Sequence, residues 1–417
     1  MSALRILVHA LNYAPELTGS GRYTGEMAAW LAGRGHAVTV IAAPPHYPAW
    51  RIDPAWRGRG YLRERIEGVD VVRVPVRLPR GERVTAGGRI ALETSFTLAS
   101  LPPWLRLLAG RRFDAVIAVC PPMQAGVLPW LYGVLRRVPW VFHVQDLQVD
   151  AALRLGMLDS GFGRALYGIE RFLLRRATRV STITPAMRRR IADKAISDER
   201  LWLLPNWADL DRVRPLPAGN AFRGELRVAE DAVVVMYSGA MGEKQGLDVV
   251  LRAARQLRDE ARIRFVLVGA DRPRAPLERR AAEMGLGNVT FLPLQPADRL
   301  PEMLAAGDIH LVVQRAEAAD LVMPSKLTNI LAAGRPAIAT AAPGSALHEA
   351  VEGHGTGVVT PPDDDASLAA AILDLAASAE RRRQMGQNAR EYAEETLDRD
   401  RILARFEGQL EKLTGKP

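Results

Sequence analysis

The fold is decided by one stretch in the second half of the chain, Ala232-Val-Val-Val-Met-Tyr-Ser-Gly-Ala-Met-Gly-Glu-Lys-Gln-Gly-Leu-Asp248. An uncharged run of strand length leads into a loop with three glycines, and the loop leads into a segment with apolar residues at helical spacing. A continuous apolar run is typical of a strand that is buried on both faces of a parallel sheet. The stretch therefore predicts a strand–loop–helix unit of a doubly wound α/β domain.

Similar apolar runs recur along the chain and alternate with helix-favouring segments. They begin at Leu4, Ala37, Val69, Ala115, Trp140 and Val180 in the first half, and at Arg264, Val289, Ile309 and Ala337 in the second. A polar connector with prolines, residues 205–225, separates the two series. We predict two Rossmann-like domains, residues 1–205 and 206–395, that face each other across a cleft, and a helix, residues 396–417, that crosses back to the first domain.

The composition is that of an ordinary globular protein, with 48% hydrophobic and 25% charged residues among 417. The single cysteine, Cys120, excludes an internal disulfide and fits a reducing cytoplasm, and the N-terminus lacks the pattern of a signal peptide. We therefore expect a cytoplasmic protein.

Positive charge is concentrated in the first half, where residues 1–205 contain 29 Lys and Arg against 16 Asp and Glu. Such a surplus indicates a polyanionic partner or an arginine-rich genome. No helix-turn-helix pattern or basic–aromatic platform is evident, so we expect no nucleic-acid partner. In residues 89–112, leucines and aromatic residues are flanked by arginines, which indicates either peripheral contact with an anionic membrane or a core helix interrupted at Pro102-Pro103.

Two segments of the second half have the chemistry of an anion site. The loop from Gly239 to Gly246 carries Lys244, which would stabilise charge on a departing diphosphate. Ser325 is predicted to cap a helix that runs to Gly334, so that its first amides and Lys326 face the same anion. Asn329 follows one turn later on the same face.

The first half contributes weaker candidates. Gly19, Ser20 and Gly21 are expected in a loop between the first strand and the first helix, where glycines let backbone amides approach a ligand. His143 and Asp146 end a strand and are expected to reach into the cleft. Asp209-Leu-Asp211 matches the short Asp-x-Asp pattern of some metal sites, but no other candidate metal ligands accompany it. We therefore predict no metal site, and we expect no bound cofactor.

In order along the chain, these motifs resemble glycosyltransferase family 4, the retaining GT-B enzymes, and most closely the colanic-acid-type exopolysaccharide glycosyltransferases. The resemblance rests on residues 12–19, 43–48, 238–247 and 324–331 and spans nearly the whole chain. It implies retaining, metal-independent transfer of a sugar from a GDP- or UDP-sugar to a lipid-linked oligosaccharide. The nucleotide sugar would bind the C-terminal domain and the acceptor the N-terminal domain, at the inner face of the membrane.

The resemblance also implies roles for single residues. His143 would lie beside the transferred sugar, Lys244 would act on the diphosphate, and Asp146 would lie on the acceptor side. The donor would be held by Gly19, Ser20, Gly21, Asn206, Gly239, Glu243, Lys244, Pro324, Ser325, Lys326, Leu327, Thr328 and Asn329.

Two departures from the family keep alternatives open. The usual pair of glutamates is replaced by Leu321, with Asp320 beside it, and by Asn329. The arginine that usually follows the loop glycine is absent, since Ala240 and Met241 stand there. A nucleotide-sugar 2-epimerase and a non-catalytic polysaccharide assembly protein therefore remain as alternatives.

Overall fold

A computed structural model of the chain describes residues 3–16, 19–79, 85–147, 160–316 and 324–416. The chain divides into two compact units, Met1–Pro205 with Arg401–Pro417, and Asn206–Asp400. Each unit is built on a parallel sheet with helical connections, which confirms the predicted pair of Rossmann-like α/β domains.

The first unit contains an eight-stranded sheet in the order β3-β4-β2-β1-β5-β6-β7-β8. The strands are β1 (Arg5–His9), β2 (Ala37–Ala42), β3 (Leu62–Ile66), β4 (Val69–Arg73), β5 (Ala115–Cys120), β6 (Trp140–Val144), β7 (Arg179–Thr182) and β8 (Leu201–Leu203). Only the edge strand β3 pairs antiparallel among the described strands. Its sequence alternates apolar and charged residues, so it lacks the apolar run by which six of the other strands were predicted, and the three-residue strand β8 was not predicted either.

The described helices of the first unit before the linker are α1 (Gly19–Gly33), α2 (Ala86–Ala109), α3 (Val127–Arg136), α4 (Ser160–Arg176) and α5 (Pro185–Ala192). The apolar run that begins at Ala115 forms strand β5, and a short connection leads from it to helix α3. Among the described residues, no helix is long and apolar enough to cross a membrane.

Helix α2 continues through Pro102 and Pro103, so the predicted interruption at this pair is wrong. Pro103 has no N–H to donate to the carbonyl of Ala99, four residues earlier. The Tyr61 hydroxyl, from outside the helix, donates to that carbonyl at 3.0 Å instead. The tertiary contact thus satisfies an acceptor that the helix leaves open.

The second unit contains a six-stranded sheet in the order β11-β10-β9-β12-β13-β14. The strands are β9 (Val233–Ser238), β10 (Ile263–Gly269), β11 (Val289–Pro293), β12 (Ile309–Val312), β13 (Ala337–Thr340) and β14 (Gly357–Thr360). Alternate residues of β9 enter two separate apolar clusters, with Val234 and Met236 in one and Val233, Val235 and Tyr237 in the other. Both faces of this strand are therefore buried, which explains its unbroken apolar sequence.

The described helices of the second unit are α6 (Ala221–Leu226), α7 (Asp248–Gln256), α8 (Asp271–Glu283), α9 (Leu300–Ala306), α10 (Lys326–Ala332), α11 (Ala346–His348), α12 (Asp365–Ala377) and α13 (Ala379–Thr396). A last helix, α14 (Arg399–Thr414), begins in the second unit and lies mostly with the first.

Helix α14 is held on the first unit by a buried carboxylate, that of Glu407. The Oε1 atom of Glu407 lies 2.9 Å from Nε2 of His36, and Arg34 Nε lies 3.3 Å from both carboxylate oxygens. The other ring nitrogen of His36 accepts the Leu4 N–H at 3.0 Å, so Nε2 carries the proton and donates to Glu407.

We expect Glu407→Ala to lower the free energy of unfolding by about 1–3 kcal/mol, because it leaves the buried His36 N–H unpaired. Urea unfolding followed by tryptophan fluorescence measures the change. Glu391→Ala, which removes an exposed carboxylate, is the matched control and should change stability by less than about 0.5 kcal/mol. Equal midpoints for Glu407→Ala and the wild type would contradict the anchoring role.

Candidate functional site

The strand order of the second sheet reverses between β9 and β12, which lie side by side and parallel. At such a reversal the connections leave in opposite directions and open a crevice at the carboxyl edge of the sheet, where ligands of doubly wound folds bind. The loop from Gly239 to Leu247 follows β9 at this edge, and residues 313–316 follow β12.

Lys326, at the start of α10, places a buried cation at this edge. Its Nζ lies 3.4 Å from the centre of the Tyr237 ring and has no hydrogen-bond partner among the described residues. A cation–π contact contributes about 0.5–2 kcal/mol, whereas the effective cost of burying an ion is several kcal/mol. The compensation is incomplete, and burial holds the pKa of Lys326 well below the ordinary lysine value.

Two glycines at the ends of the loop after β9 bring the backbone close to cationic side chains. A Cβ on Gly239, whose φ is +129°, would lie 3.5 Å from Lys326 Cε. A Cβ on Gly246, whose φ is +59°, would lie 2.7 Å from Cγ of Arg315. The positive φ therefore favours glycine at both positions, and at Gly246 the close approach of Arg315 requires it as well.

Asn329 adds a second polar atom without a partner. Its side chain is buried in α10, and its Oδ1 makes no hydrogen bond with any described residue. An unpaired buried acceptor costs about 1–3 kcal/mol, so Asn329 and Lys326 together are typical of a site that a polar ligand completes.

The predicted cap of α10 is wrong in one respect. Ser325 precedes the helix but has helical dihedral angles, and its side chain makes no capping hydrogen bond. Instead, the Thr328 hydroxyl donates to the Ser325 carbonyl at 2.9 Å. The helix ends at Ala332, and Gly334 follows with a φ of +63°.

The other predicted donor residues of this unit are spread between the core and the surface. Leu327 and Asn206 are buried, Pro324 is half-buried, and Glu243 is exposed at the start of a 3₁₀ turn in the loop. Lys244 lies in the same turn, but its side chain lies outside what the structure describes, as do the residues Asp320 and Leu321.

In the first unit, Gly19, Ser20 and Gly21 form the first turn of α1, so their predicted placement in a loop is wrong. The reason is close packing: a Cβ on Gly21 would lie 2.9 Å from Cβ of Glu16. Glycine here lets the helix lie directly on the segment that follows β1.

Glu16 is a buried carboxylate that the sequence analysis did not single out. It accepts hydrogen bonds from the main-chain N–H groups of His46 and Tyr47, at 2.9 and 3.0 Å, and from the Asn12 amide at 2.9 Å. It therefore ties residues 46–47 to the start of α1. Two of its three partners are 30 and 31 residues away in the chain, so the sequence pattern around Glu16 does not reveal its role.

His143 is buried in β6, and both ring nitrogens are hydrogen bonded. The Gln145 amide donates to Nε2 at 3.1 Å, so Nδ1 carries the proton and donates to the Ser181 hydroxyl at 3.0 Å. Burial lowers the pKa of His143 to about 4, which keeps the ring neutral near pH 7. Asp146 is half-buried just beyond the strand, with its carbonyl facing the Cys120 thiol.

The Asp209-Leu-Asp211 match has a structural role within the second unit. Asp209 pairs with Arg399 and accepts the Arg212 N–H at 3.1 Å. Among the residues that the structure describes, no group of three or more His, Cys, Asp or Glu side chains is placed to hold a metal ion.

Comparison with known proteins agrees with this architecture. Residues 18–207 match the "Glycosyl transferase 4-like domain" family and residues 220–392 match "Glycosyl transferases group 1". The sucrose-phosphate synthase of Thermosynechococcus elongatus has a similar fold, with a TM-score of 0.75, 19% identity and 99% coverage of each chain. Anabaena HepE, solved in complex with UDP, has a TM-score of 0.72, 18% identity, and coverage of 98% of this chain and 100% of that one.

One relative is similar over nearly the full length. The Escherichia coli (strain K12) protein WcaI, named as a colanic acid biosynthesis glycosyl transferase, is 39% identical over 413 residues, which cover 97% of this chain and 98% of the relative. The chain therefore belongs to the GT-B glycosyltransferases of family 4, in the group that contains the colanic acid biosynthesis glycosyltransferases.

Proposed function

We propose that the chain transfers a sugar, with retention, from a GDP- or UDP-sugar to a lipid-linked glycan in exopolysaccharide biosynthesis. The observation that carries the proposal is the buried Lys326 ammonium, which has no hydrogen-bond partner among the described residues and lies beside a glycine loop at the strand-order reversal. A diphosphate bound there would supply the missing counter-charge.

The chemistry follows from where charge develops. The bond between the anomeric carbon and the diphosphate oxygen breaks, and its electron pair stays on the diphosphate. The acceptor hydroxyl oxygen bonds to the same carbon on the same face, and its proton passes to the departing diphosphate. Lys326 and Lys244 would stabilise the growing negative charge, which is a role that a divalent metal would otherwise fill.

The neutral His143 ring fits a positioning role rather than that of a base. Its two hydrogen bonds fix its orientation, and its lowered pKa leaves no charge to oppose an oxocarbenium-like sugar. We propose that Asn329 accepts a hydrogen bond from a hydroxyl group of the nucleotide sugar, at the position where the family resemblance implies a carboxylate.

A set of exposed apolar side chains in the first unit supports the proposed lipid-linked acceptor. We define the apolar face as the exposed side chains Leu98, Leu101, Leu105, Leu131, Val134, Leu135, Ile169 and Phe172. They lie on α2, α3 and α4, and α3 packs against both neighbours. Exposed apolar clusters of this kind mark interaction surfaces.

Exposed arginines lie on or directly after the same three helices. Arg106, Arg111, Arg112, Arg137, Arg175 and Arg176 are exposed, and none of them has an ion pair within the described part of the chain. A cavity of about 300 Å³ beside α2 is lined by Arg63 and Arg106 and walled by Tyr61, Pro102 and Pro103. This combination favours a surface that binds anionic lipid headgroups.

The first test is donor binding and turnover. We expect one of GDP, UDP and ADP to raise the melting temperature, since a ligand at 100 times its Kd stabilises the fold by about 2.7 kcal/mol. Lys244→Ala should lower turnover roughly 100-fold, whereas Lys412→Ala, an exposed lysine of α14, should not.

Product analysis completes that test. Sugar should appear on the acceptor with the donor's anomeric configuration and without added metal. No thermal shift with any nucleotide, or full turnover by Lys244→Ala, would argue against the proposed donor site.

The second test asks whether the Lys326 ammonium serves nucleotide binding or the stability of the fold. We expect unliganded Lys326→Met to be more stable than the wild type by about 1–3 kcal/mol, because a buried unpaired charge is removed, yet to lose nucleotide binding. The folded-state pKa is lowered, so near the ordinary value of 10.5 the unfolded state binds more protons and wild-type stability rises with pH. The advantage of Lys326→Met should therefore shrink as pH rises toward that value.

Urea unfolding at several pH values measures this difference. Lys412→Met is the control, since its exposed ammonium should leave stability unchanged at every pH. A marked loss of stability in unliganded Lys326→Met would show that the ammonium supports the fold itself.

The third test is flotation with vesicles that contain anionic phospholipid, at low salt. The double variant Leu105→Asp/Leu135→Asp should reduce vesicle binding about 10-fold or more, because each leucine transfers apolar surface into the bilayer. Leu373→Asp alters a leucine of α12 that is 44% exposed and should bind as the wild type does. Absence of wild-type binding would exclude the membrane surface while leaving the donor site untouched.

A further inference from the structure

The loop after β9 has Ala240 and Met241 where the family resemblance implies an arginine, and neither of these two side chains can supply that charge. Ala240 is uncharged, and Met241 turns into the core: a Cβ on Gly269 would lie 2.6 Å from the Met241 sulfur. Met241 is correspondingly buried. Any further positive charge at this loop must come from another segment.

Arg315 is placed to supply that charge. It follows β12, the strand that lies beside β9, and its side chain is exposed over Gly246 at the far end of the loop. Its Cγ and Nε would lie 2.7 and 3.4 Å from a Cβ on Gly246. Only the missing side chain of Gly246 allows Arg315 to lie there.

The guanidinium of Arg315 has no hydrogen bond and no ion pair with the described residues. One carboxylate lies close, that of Asp363, whose Oδ1 would be 3.5 Å from the same Gly246 Cβ. Asp363 uses its other oxygen, Oδ2, to accept the Ala316 N–H at 3.3 Å. Among the residues that the structure describes, none accepts a hydrogen bond from the five N–H groups of Arg315, which are therefore suited to an external acceptor.

We propose that Arg315 is a donor-binding residue that contacts the diphosphate of the nucleotide sugar from the Gly246 end of the loop. Lys326 acts at the Gly239 end, so two cations from different segments take the place of the absent loop arginine. The planar guanidinium binds two phosphate oxygens at once, which an ammonium cannot do. This inference rests on the proposed function, because it names a contact to the same donor.

The experiment compares binding of inorganic pyrophosphate, of the nucleoside diphosphate that stabilises the wild type, and of the matching nucleoside, by calorimetry. Arg315→Ala should weaken both phosphate ligands by about 10–100-fold and leave the nucleoside unchanged, since a hydrogen bond to a charged group is lost. Arg315→Lys should recover only part of the affinity. The KM for the donor should rise in the same order.

Two controls make the result specific. Arg258→Ala removes an arginine that is 61% exposed and pairs only with the adjacent Asp259, and it should bind pyrophosphate as the wild type does. Unliganded Arg315→Ala should melt at the wild-type temperature, because its side chain makes no hydrogen bond within the described structure.

The outcomes separate the two proposals. If the wild type binds neither pyrophosphate nor any nucleoside diphosphate, the proposed function fails. If the wild type binds them and Arg315→Ala binds equally well, the donor site stands and the role of Arg315 is overturned.

Discussion

The contact between the Lys326 ammonium and the Tyr237 ring is the constraint on which the functional part of this molecule depends. The fold removes a positive charge from water and offers it an aromatic face but no hydrogen-bond acceptor among the described residues. An aromatic face compensates only part of the cost of burial. The burial cost of the Lys326 ammonium is therefore only partly compensated in the unliganded second unit, and under the proposed function the diphosphate of the donor would supply the rest.

The glycines of the loop after β9 determine its backbone conformation and allow other segments to approach it. Gly239 and Gly246 mark its ends, and each has a positive φ and a cationic side chain within van der Waals distance of its absent Cβ. The loop thus brings backbone amides and side chains of other segments together without carrying much charge itself. This arrangement explains how Met241 can serve the core although it occupies a position near a ligand.

Two buried polar groups of the first unit are fully hydrogen bonded. Glu16 accepts three hydrogen bonds, and His143 has a partner on each ring nitrogen. Polar groups whose hydrogen bonds are all made within the protein hold its segments in place and have little hydrogen-bonding capacity left for a ligand. In the proposed function the anion binds in the second unit, at Lys326, while the helices that carry the apolar face of the first unit also carry exposed arginines.

The sequence by itself determined the fold class and most strands, because strands buried on both faces must be continuously apolar, and it identified the family through its ordered motifs. It did not predict the edge strand β3, whose alternating residues reflect one exposed face, or the unbroken helix α2, whose open carbonyl is satisfied by Tyr61. It placed Gly19–Gly21 in a loop because it could not show that Glu16 packs against Gly21. The sequence predicted that Lys326 lies at the same anion site as the glycine loop, but only the tertiary structure decided that Arg315 meets the loop as well, because the pairing of β9 with β12 makes their segments neighbours.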